Sequence, residues 1–250
     1  MSAALQTIEL EKRFGGLVAT NKVSLTLDHG ARHALIGPNG AGKTTFVNLL
    51  TGVLPSDSGQ VLLDGKDVTR KTQIERARLG LGRTFQINQL FAGMTPVESI
   101  GLAVSERMGG AGDFWRRMGT RNDILHEITE LIERFRLAEV MDHPTRLLPY
   151  GKQRLLEIAL ALASNPRVLL LDEPAAGVPE AERAELLETL AQLPRDVSIL
   201  LIEHDMDLVF SFADRITVLV NGTLFADGTP AQIMSDPRVQ QVYLGSDEHA

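Results

Sequence analysis

A chain of 250 residues, 44% hydrophobic and 23% charged, can bury a full core and has globular composition, which excludes the disordered and fibrous classes. A net charge of -7 without a long Lys/Arg run excludes a protein whose main task is to coat nucleic acid, because that affinity rests on phosphate neutralisation. Zero cysteines exclude disulfides, thiolate metal sites and a cysteine nucleophile, and suit a reducing compartment.

The opening Met1-Ser2-Ala3-Ala4-Leu5-Gln6 lacks the basic-then-apolar layout of a secretory signal. No apolar run reaches the roughly 18 residues that span a bilayer, and the run at 155–163 is broken by Glu157. Work at a membrane is therefore expected to pass through a partner. Residues 6–10 and 22–27 read as short strands, and 60–64 reads as another behind Pro55-Ser56-Asp57-Ser58-Gly59. These predict an antiparallel patch.

Ala34-Leu35-Ile36 reads as a buried strand leading into Gly37-Pro38-Asn39-Gly40-Ala41-Gly42-Lys43-Thr44, a phosphate-binding loop without a mismatch. Glycines let successive backbone N–H groups turn inward around an oxyanion, where side chains would obstruct. Lys43 adds a full positive charge and Thr44 a hydroxyl for a magnesium ion. The helix opening at Lys43-Thr44-Thr45-Phe46-Val47 aims its positive dipole end at the phosphates. The chemistry is that of a nucleoside triphosphate.

From about residue 95 to 165 the pattern turns helical, with runs at Pro96–Arg107, 123–136 and 151–164, predicting an inserted helical subdomain. Asp113-Phe114-Trp115-Arg116-Arg117-Met118 reads as a loop between helices packing one aromatic, with a membrane anchor or a partner-facing surface as alternatives. Apolar runs at 168–171, Ser198–Ile202 and Arg215–Val220 then alternate with helical patterns at 180–193 and Met206–Phe212. Such alternation implies a parallel sheet with covered faces. Asn221-Gly222 marks a hairpin before a strand at 223–225.

Val168-Leu169-Leu170-Leu171-Asp172-Glu173 is an apolar strand ending in two acids. Asp172 is placed to hold Mg²⁺ and Glu173 to take a proton from an attacking water.

With these residues the chain resembles the ATP-binding subunits of ABC transporters over nearly its whole length. The resemblance implies ATP and Mg²⁺ as cofactors, with Phe14 in Arg13-Phe14-Gly15-Gly16 stacking on adenine. It implies that Gln86 in Arg83-Thr84-Phe85-Gln86 reaches the metal and the attacking water, and that His204 in Ile202-Glu203-His204-Asp205 contacts the γ-phosphate. It further implies that Tyr150, Gly151, Lys152 and Gln153 in Leu148-Pro149-Tyr150-Gly151-Lys152-Gln153-Arg154 close over the nucleotide of a second chain. Two sequence departures qualify this: the usual signature is Leu-Ser-Gly-Gly-Gln, and here Pro149 replaces the serine, removing a hydroxyl and an N–H. Pro179 likewise stands where many relatives carry an aspartate.

The implied architecture is an α/β P-loop NTPase cassette: a mostly parallel sheet core with an antiparallel β subdomain (residues 1–94 and 165–250) and a helical signature subdomain (95–164). Arg154-Leu155-Leu156-Glu157-Ile158-Ala159, the Pro174-Ala175-Ala176-Gly177 loop and the tail Gly228-Thr229-Pro230, Asp236-Pro237 and Tyr243-Leu244-Gly245 are similar to the branched-chain amino acid uptake branch. The expected partners are a second ATP-binding subunit, identical or related, transmembrane permease subunits and, indirectly, a periplasmic or extracellular solute-binding protein, with no nucleic acid. The expected location is the cytoplasmic face of the inner membrane, as a peripheral subunit. Urea or short-amide import, lipopolysaccharide export and a soluble ABC-type switch are the alternatives. A P-loop kinase or GTPase would leave Gln86, Gly151 and His204 unexplained.

Overall fold

The computed structural model describes residues 3–84, 90–108 and 122–244; Gln86 and the Trp115 segment lie outside them. The chain divides into two compact units: Met1–Arg83 with Arg167–Glu173 and Pro194–Ala250, and Thr84–Pro166 with Pro174–Leu193.

The first unit holds two sheets. One is antiparallel, running β2 (Leu17–Val23), β1 (Ala3–Phe14), β5 (Ser58–Leu63), β6 (Lys66–Asp67), with β3 (Thr26–Asp28) also paired to β1. The other has six strands in the order β11 (Thr223–Gly228), β10 (Arg215–Val220), β4 (Arg32–Ile36), β9 (Ser198–Ile202), β8 (Val168–Asp172), β7 (Leu81–Arg83). All its pairings are parallel except the β10–β11 hairpin. The central strands β4, β8 and β9 are buried at every position, because both faces are covered and a strand points alternate side chains to opposite sides. Thus Leu35 packs with Phe46, Leu49 and Leu50 of α1 (Lys43–Thr51) and with Leu5 and Leu63 of the antiparallel sheet. Its neighbours Ala34 and Ile36 pack with Val209 and Ile233 on the opposite face. Those two residues belong to α7 (Met206–Phe212) and α8 (Pro230–Ser235), and α9 (Pro237–Leu244) follows.

Arg76, on α2 (Gln73–Arg78), is 2% exposed and donates to the carbonyls of Leu49 and Leu50 at 2.6 Å and of Thr69 at 2.7 Å. A guanidinium thereby closes the carboxyl end of α1, where helix carbonyls lack partners.

The second unit contains α3 (Pro96–Arg107), α4 (Asn122–Arg134), α5 (Tyr150–Ala163) and α6 (Glu180–Ala191). Helix α3 starts with a reciprocal cap: the Glu98 N–H donates to Thr95 Oγ1 at 3.2 Å and the Thr95 N–H to Glu98 Oε2 at 2.9 Å, with Pro96 in the first turn. This unit extends past the expected 95–164. Helix α6 joins it through Glu182, which accepts from the Gly151 N–H at 2.6 Å, and Glu185, 2.7 Å from Lys152 Nζ. Among the described residues no helix is long and apolar enough to cross a membrane.

His33, on β4, is 1% exposed and its Nε2 lies 2.8 Å from Thr217 Oγ1. Burial pushes its pKa down to about 4, so the folded state keeps the ring neutral while an unfolded histidine takes a proton near pH 6.5. Between those values the unfolded chain binds more protons, so stability falls as pH is lowered across that window and is indifferent to His33 above it. Urea denaturation between about pH 7 and pH 4 should show this loss, reduced in His33→Gln; an unchanged pH slope in the variant would assign the loss to other groups.

Candidate nucleotide-binding site

The site is built at the carboxyl edge of the six-stranded sheet, where parallel strands deliver successive loops to one side. Strand β4 ends at Ile36 and runs into Gly37, Pro38, Asn39, Gly40, Ala41 and Gly42 before α1 begins at Lys43. Asn39, Gly40 and Thr44 are exposed on this rim, and Thr45 is half-buried. Lys43 Nζ turns back to donate to the carbonyls of Gly37 at 2.6 Å and Pro38 at 3.2 Å. Burial lowers its pKa, and the Glu173 and Asp172 carboxylates oppose that shift, which puts both acids within electrostatic reach of the ammonium.

The loop is braced from outside. The Gly222 N–H of the β10–β11 hairpin donates to Ala41 O at 2.9 Å. Gly42 has φ 97°, and a Cβ on it would stand 2.3 Å from Ala19 O of β2. Glycine is needed there both for its left-handed backbone and for the close approach of another strand.

At the end of β8, Asp172 is 2% exposed and its Oδ2 lies 2.6 Å from Arg83 Nη2. Arg83 Nη1 also donates to Asn48 Oδ1 of α1 at 2.8 Å. Glu173 adopts φ 46°, an uncommon conformation for a side chain of this kind, and its N–H donates to Ile202 O at 2.8 Å. His204 follows β9, with Nδ1 3.9 Å from Glu173 Oε1 and 3.6 Å from Glu203 Oε2. Glu203 itself is 1% exposed and accepts the N–H groups of His204 at 2.9 Å and Asp205 at 3.3 Å.

Phe14 closes β1 opposite Leu17 and is 47% exposed, with Lys12 Nζ 5.7 Å from its ring centre. In the second unit, Pro149 precedes α5 without a side-chain cap. Lys152 Nζ is taken up by Arg136 O and Glu185, each at 2.7 Å, and Gln153 Nε2 by Leu148 O at 2.9 Å. The Tyr150 hydroxyl lies 3.4 Å from Ala176 O, with the Arg154 guanidinium over its ring. Lys43, Asp172, Glu173 and His204 thus gather in the first unit, while Tyr150, Gly151, Lys152 and Gln153 belong to the second.

Sequence reasoning assigned no role to Arg83, Asn48 or Glu203. Two of them lie inside quoted motifs, one residue before His204 and three before Gln86, so their positions were visible even though their contacts were not.

A phosphate loop, an acid pair and a histidine on one sheet edge define a P-loop nucleotide hydrolase. A family model described as ABC transporter matches residues 20–176, and one described as branched-chain amino acid ATP-binding cassette transporter matches residues 223–249. The chain belongs to the ABC transporter family, as one of its ATP-binding and ATP-hydrolysing cassettes. It is 41% identical to the high-affinity branched-chain amino acid transport ATP-binding protein LivG of Escherichia coli over 254 residues, covering 98% of this chain and 99% of the relative. It is 40% identical to the corresponding BraF protein of Pseudomonas aeruginosa over 250 residues, covering 96% and 97%. An ATP-binding cassette of an ABC transporter solved in its ADP conformation is 31% identical and superimposes with a TM-score of 0.82, over 98% of this chain and 99% of the other. A nucleotide-free cassette is 30% identical, with a TM-score of 0.81 over 97% and 99%.

The bracing of the loop gives a direct expectation. Gly42→Ala forces a strained backbone against Ala19 O and should lower stability by about 1–3 kcal/mol while weakening nucleotide binding, as read by thermal denaturation with and without ADP. Unchanged melting and unchanged ADP affinity would mean that β2 and the loop separate freely.

Proposed function

We propose that this chain powers a membrane importer of branched-chain amino acids, working as one of a pair of ATP-binding subunits held to permease subunits on the cytoplasmic face of the membrane. The observation that carries the hydrolytic part is the grouping of Lys43, Asp172, Glu173 and His204 at one sheet edge. The solute is supported by relatives named for branched-chain amino acid transport and by the matched segment at residues 223–249. A solute-binding protein would act indirectly, through the permease.

In this reading the loop from Gly37 to Gly42, through the backbone N–H groups that each of its residues except Pro38 carries, and the Lys43 ammonium receive the phosphates, Thr44 and Thr45 lie at the helix end beside them, and Phe14 stacks on adenine. Thr44, Asp172 and Gln86 would hold Mg²⁺, and the Thr44 hydroxyl and Asp172 carboxylate are the hard oxygen donors that such an ion takes. When bound, that ion neutralises charge on the phosphates. Glu173 takes the proton of the attacking water, and His204, beside it, holds the γ-phosphate side. The segment from Tyr150 to Gln153 would face the partner chain's nucleotide. Because the side chains of Lys152 and Gln153 already have internal partners, its contribution would rest on the backbone at the end of α5, where the Gly151 N–H must first leave Glu182.

Glu173→Gln keeps size and removes the base. ATP hydrolysis should fall by about 10²–10⁴-fold with ATP binding retained. In vesicles rebuilt with the native membrane subunits, leucine uptake should stop in the variant. Uptake that persists would overturn the role of Glu173, and wild-type uptake of urea in preference to leucine would move the solute assignment to short amides.

A further inference from the structure

We infer that Arg83 is a positioning residue for the metal-binding carboxylate: it clamps Asp172 and the phosphate-loop helix in one grip, setting how the Asp172 oxygens meet Mg²⁺. The inference rests on the reading of Asp172 as a metal ligand.

The guanidinium sits on β7, beside β8 in parallel register, with Arg83 opposite Leu170. One nitrogen lies 2.6 Å from Asp172 Oδ2 and another donates to Asn48 Oδ1 at 2.8 Å. Asn48 is one helical turn beyond Thr44 on α1, so it shares a helix face with the hydroxyl proposed to bind the same ion. Arg83 thereby spans the two elements that must present Thr44 and Asp172 together. The arginine side chain is 12% exposed and the aspartate 2%, so solvent screening is weak and the pair is held at short range. Two further points favour a role beyond packing. A buried pair is weak evidence for stability in itself, and among the described residues Arg83 Nε is buried without a hydrogen-bond partner, a cost that packing alone leaves unexplained. A planar fork bonded to two acceptors fixes the orientation of a carboxylate in a way a single-point cation does not. Groups that orient a metal ligand from behind are worth about 10–100-fold in metal affinity.

The test titrates Mg²⁺ into the full chain with a fluorescent ADP analogue, and separately measures analogue affinity in EDTA. Arg83→Met should raise the Mg²⁺ concentration for half-saturation by about tenfold or more, with affinity in EDTA little changed. Arg83→Lys should fall between wild type and Arg83→Met, since lysine reaches only one of the two acceptors at a time. Asn48→Ala leaves the Asp172 pair in place and opens the other end of the clamp; it should shift Mg²⁺ dependence in the same direction, and serves if Arg83→Met fails to fold. Unchanged Mg²⁺ half-saturation in folded variants would overturn the inference, as would equal losses with and without Mg²⁺, which would mean general electrostatic support of the nucleotide. Tighter Mg²⁺ binding in Arg83→Met would also overturn it, showing competition between the guanidinium and the ion. Asp172→Asn separates the two readings: if it leaves Mg²⁺ dependence unchanged, the metal assignment of Asp172 itself fails.

Discussion

Parallel pairing of β4, β8 and β9 is the constraint on which the chemistry depends. In register, Leu35 lies opposite Ile202, and Asp172 opposite the same Ile202 from the other side. The residues following each strand therefore leave the sheet at one edge and at similar height. That alone brings Gly37, Glu173 and Glu203-His204 together from positions far apart in sequence. Parallel strands need covered faces, and the uniformly apolar interiors of β4, β8 and β9 meet that need.

An edge built this way concentrates charge where water is scarce. Asp172 and Glu203 are both nearly inaccessible, and a bare carboxylate in such a place is costly. Each is offset differently. Asp172 is held by a guanidinium, whereas Glu203 accepts two backbone N–H groups of its own loop. The second arrangement bends the chain after β9 so that the His204 ring projects into solvent, 65% exposed, next to Glu173. A buried acid thus shapes the backbone that presents its exposed neighbour. Lys43, meanwhile, rests on two carbonyls of the loop it serves, a contact that phosphate oxygens would replace with charge-assisted ones.

Much of this was legible in the chain because local rules and tertiary needs agree. The strand Ser198–Ile202, the strand Arg215–Val220 and the helix Met206–Phe212 coincide with the apolar runs and patterns that mark them, since each is bounded by polar or turn residues. The hairpin at Asn221-Gly222 follows from residues that accept positive φ. Other features were not legible. Strand β7 is three residues long, Leu81–Arg83, and exists only because β8 offers a free edge. The two-residue β6 is too short to show a period, whereas α2 does carry a local signal, the Thr72 and Glu75 capping box at its start. The helical pattern at 180–193 lies by chain order within the expected core span of 165–250, yet the acids of α6 face α5. The clamp of Arg83 on Asp172 joins residues 89 apart, and no local pattern announces a contact of that kind.

The amino end of α5 shows how a departure in sequence changes what a structure requires. A serine before a helix offers a hydroxyl to the free N–H groups of the first turn. Pro149 has no such group, and α5 begins without a side-chain cap. Glu182 of α6 supplies an acceptor instead, at 2.6 Å from the Gly151 N–H, and its negative charge also suits the positive end of the helix dipole. The fit is close: a Cβ on Gly151 would stand 2.7 Å from Glu182 Oε2. Oε2 is the far end of a flexible side chain, but Glu182 Cβ would stand only 3.0 Å away, so a methyl at this position crowds the helix packed beside it. Any anion that uses the Gly151 N–H must first displace a carboxylate already bound there, and the affinity of this helix end for phosphate is reduced by the strength of that internal contact.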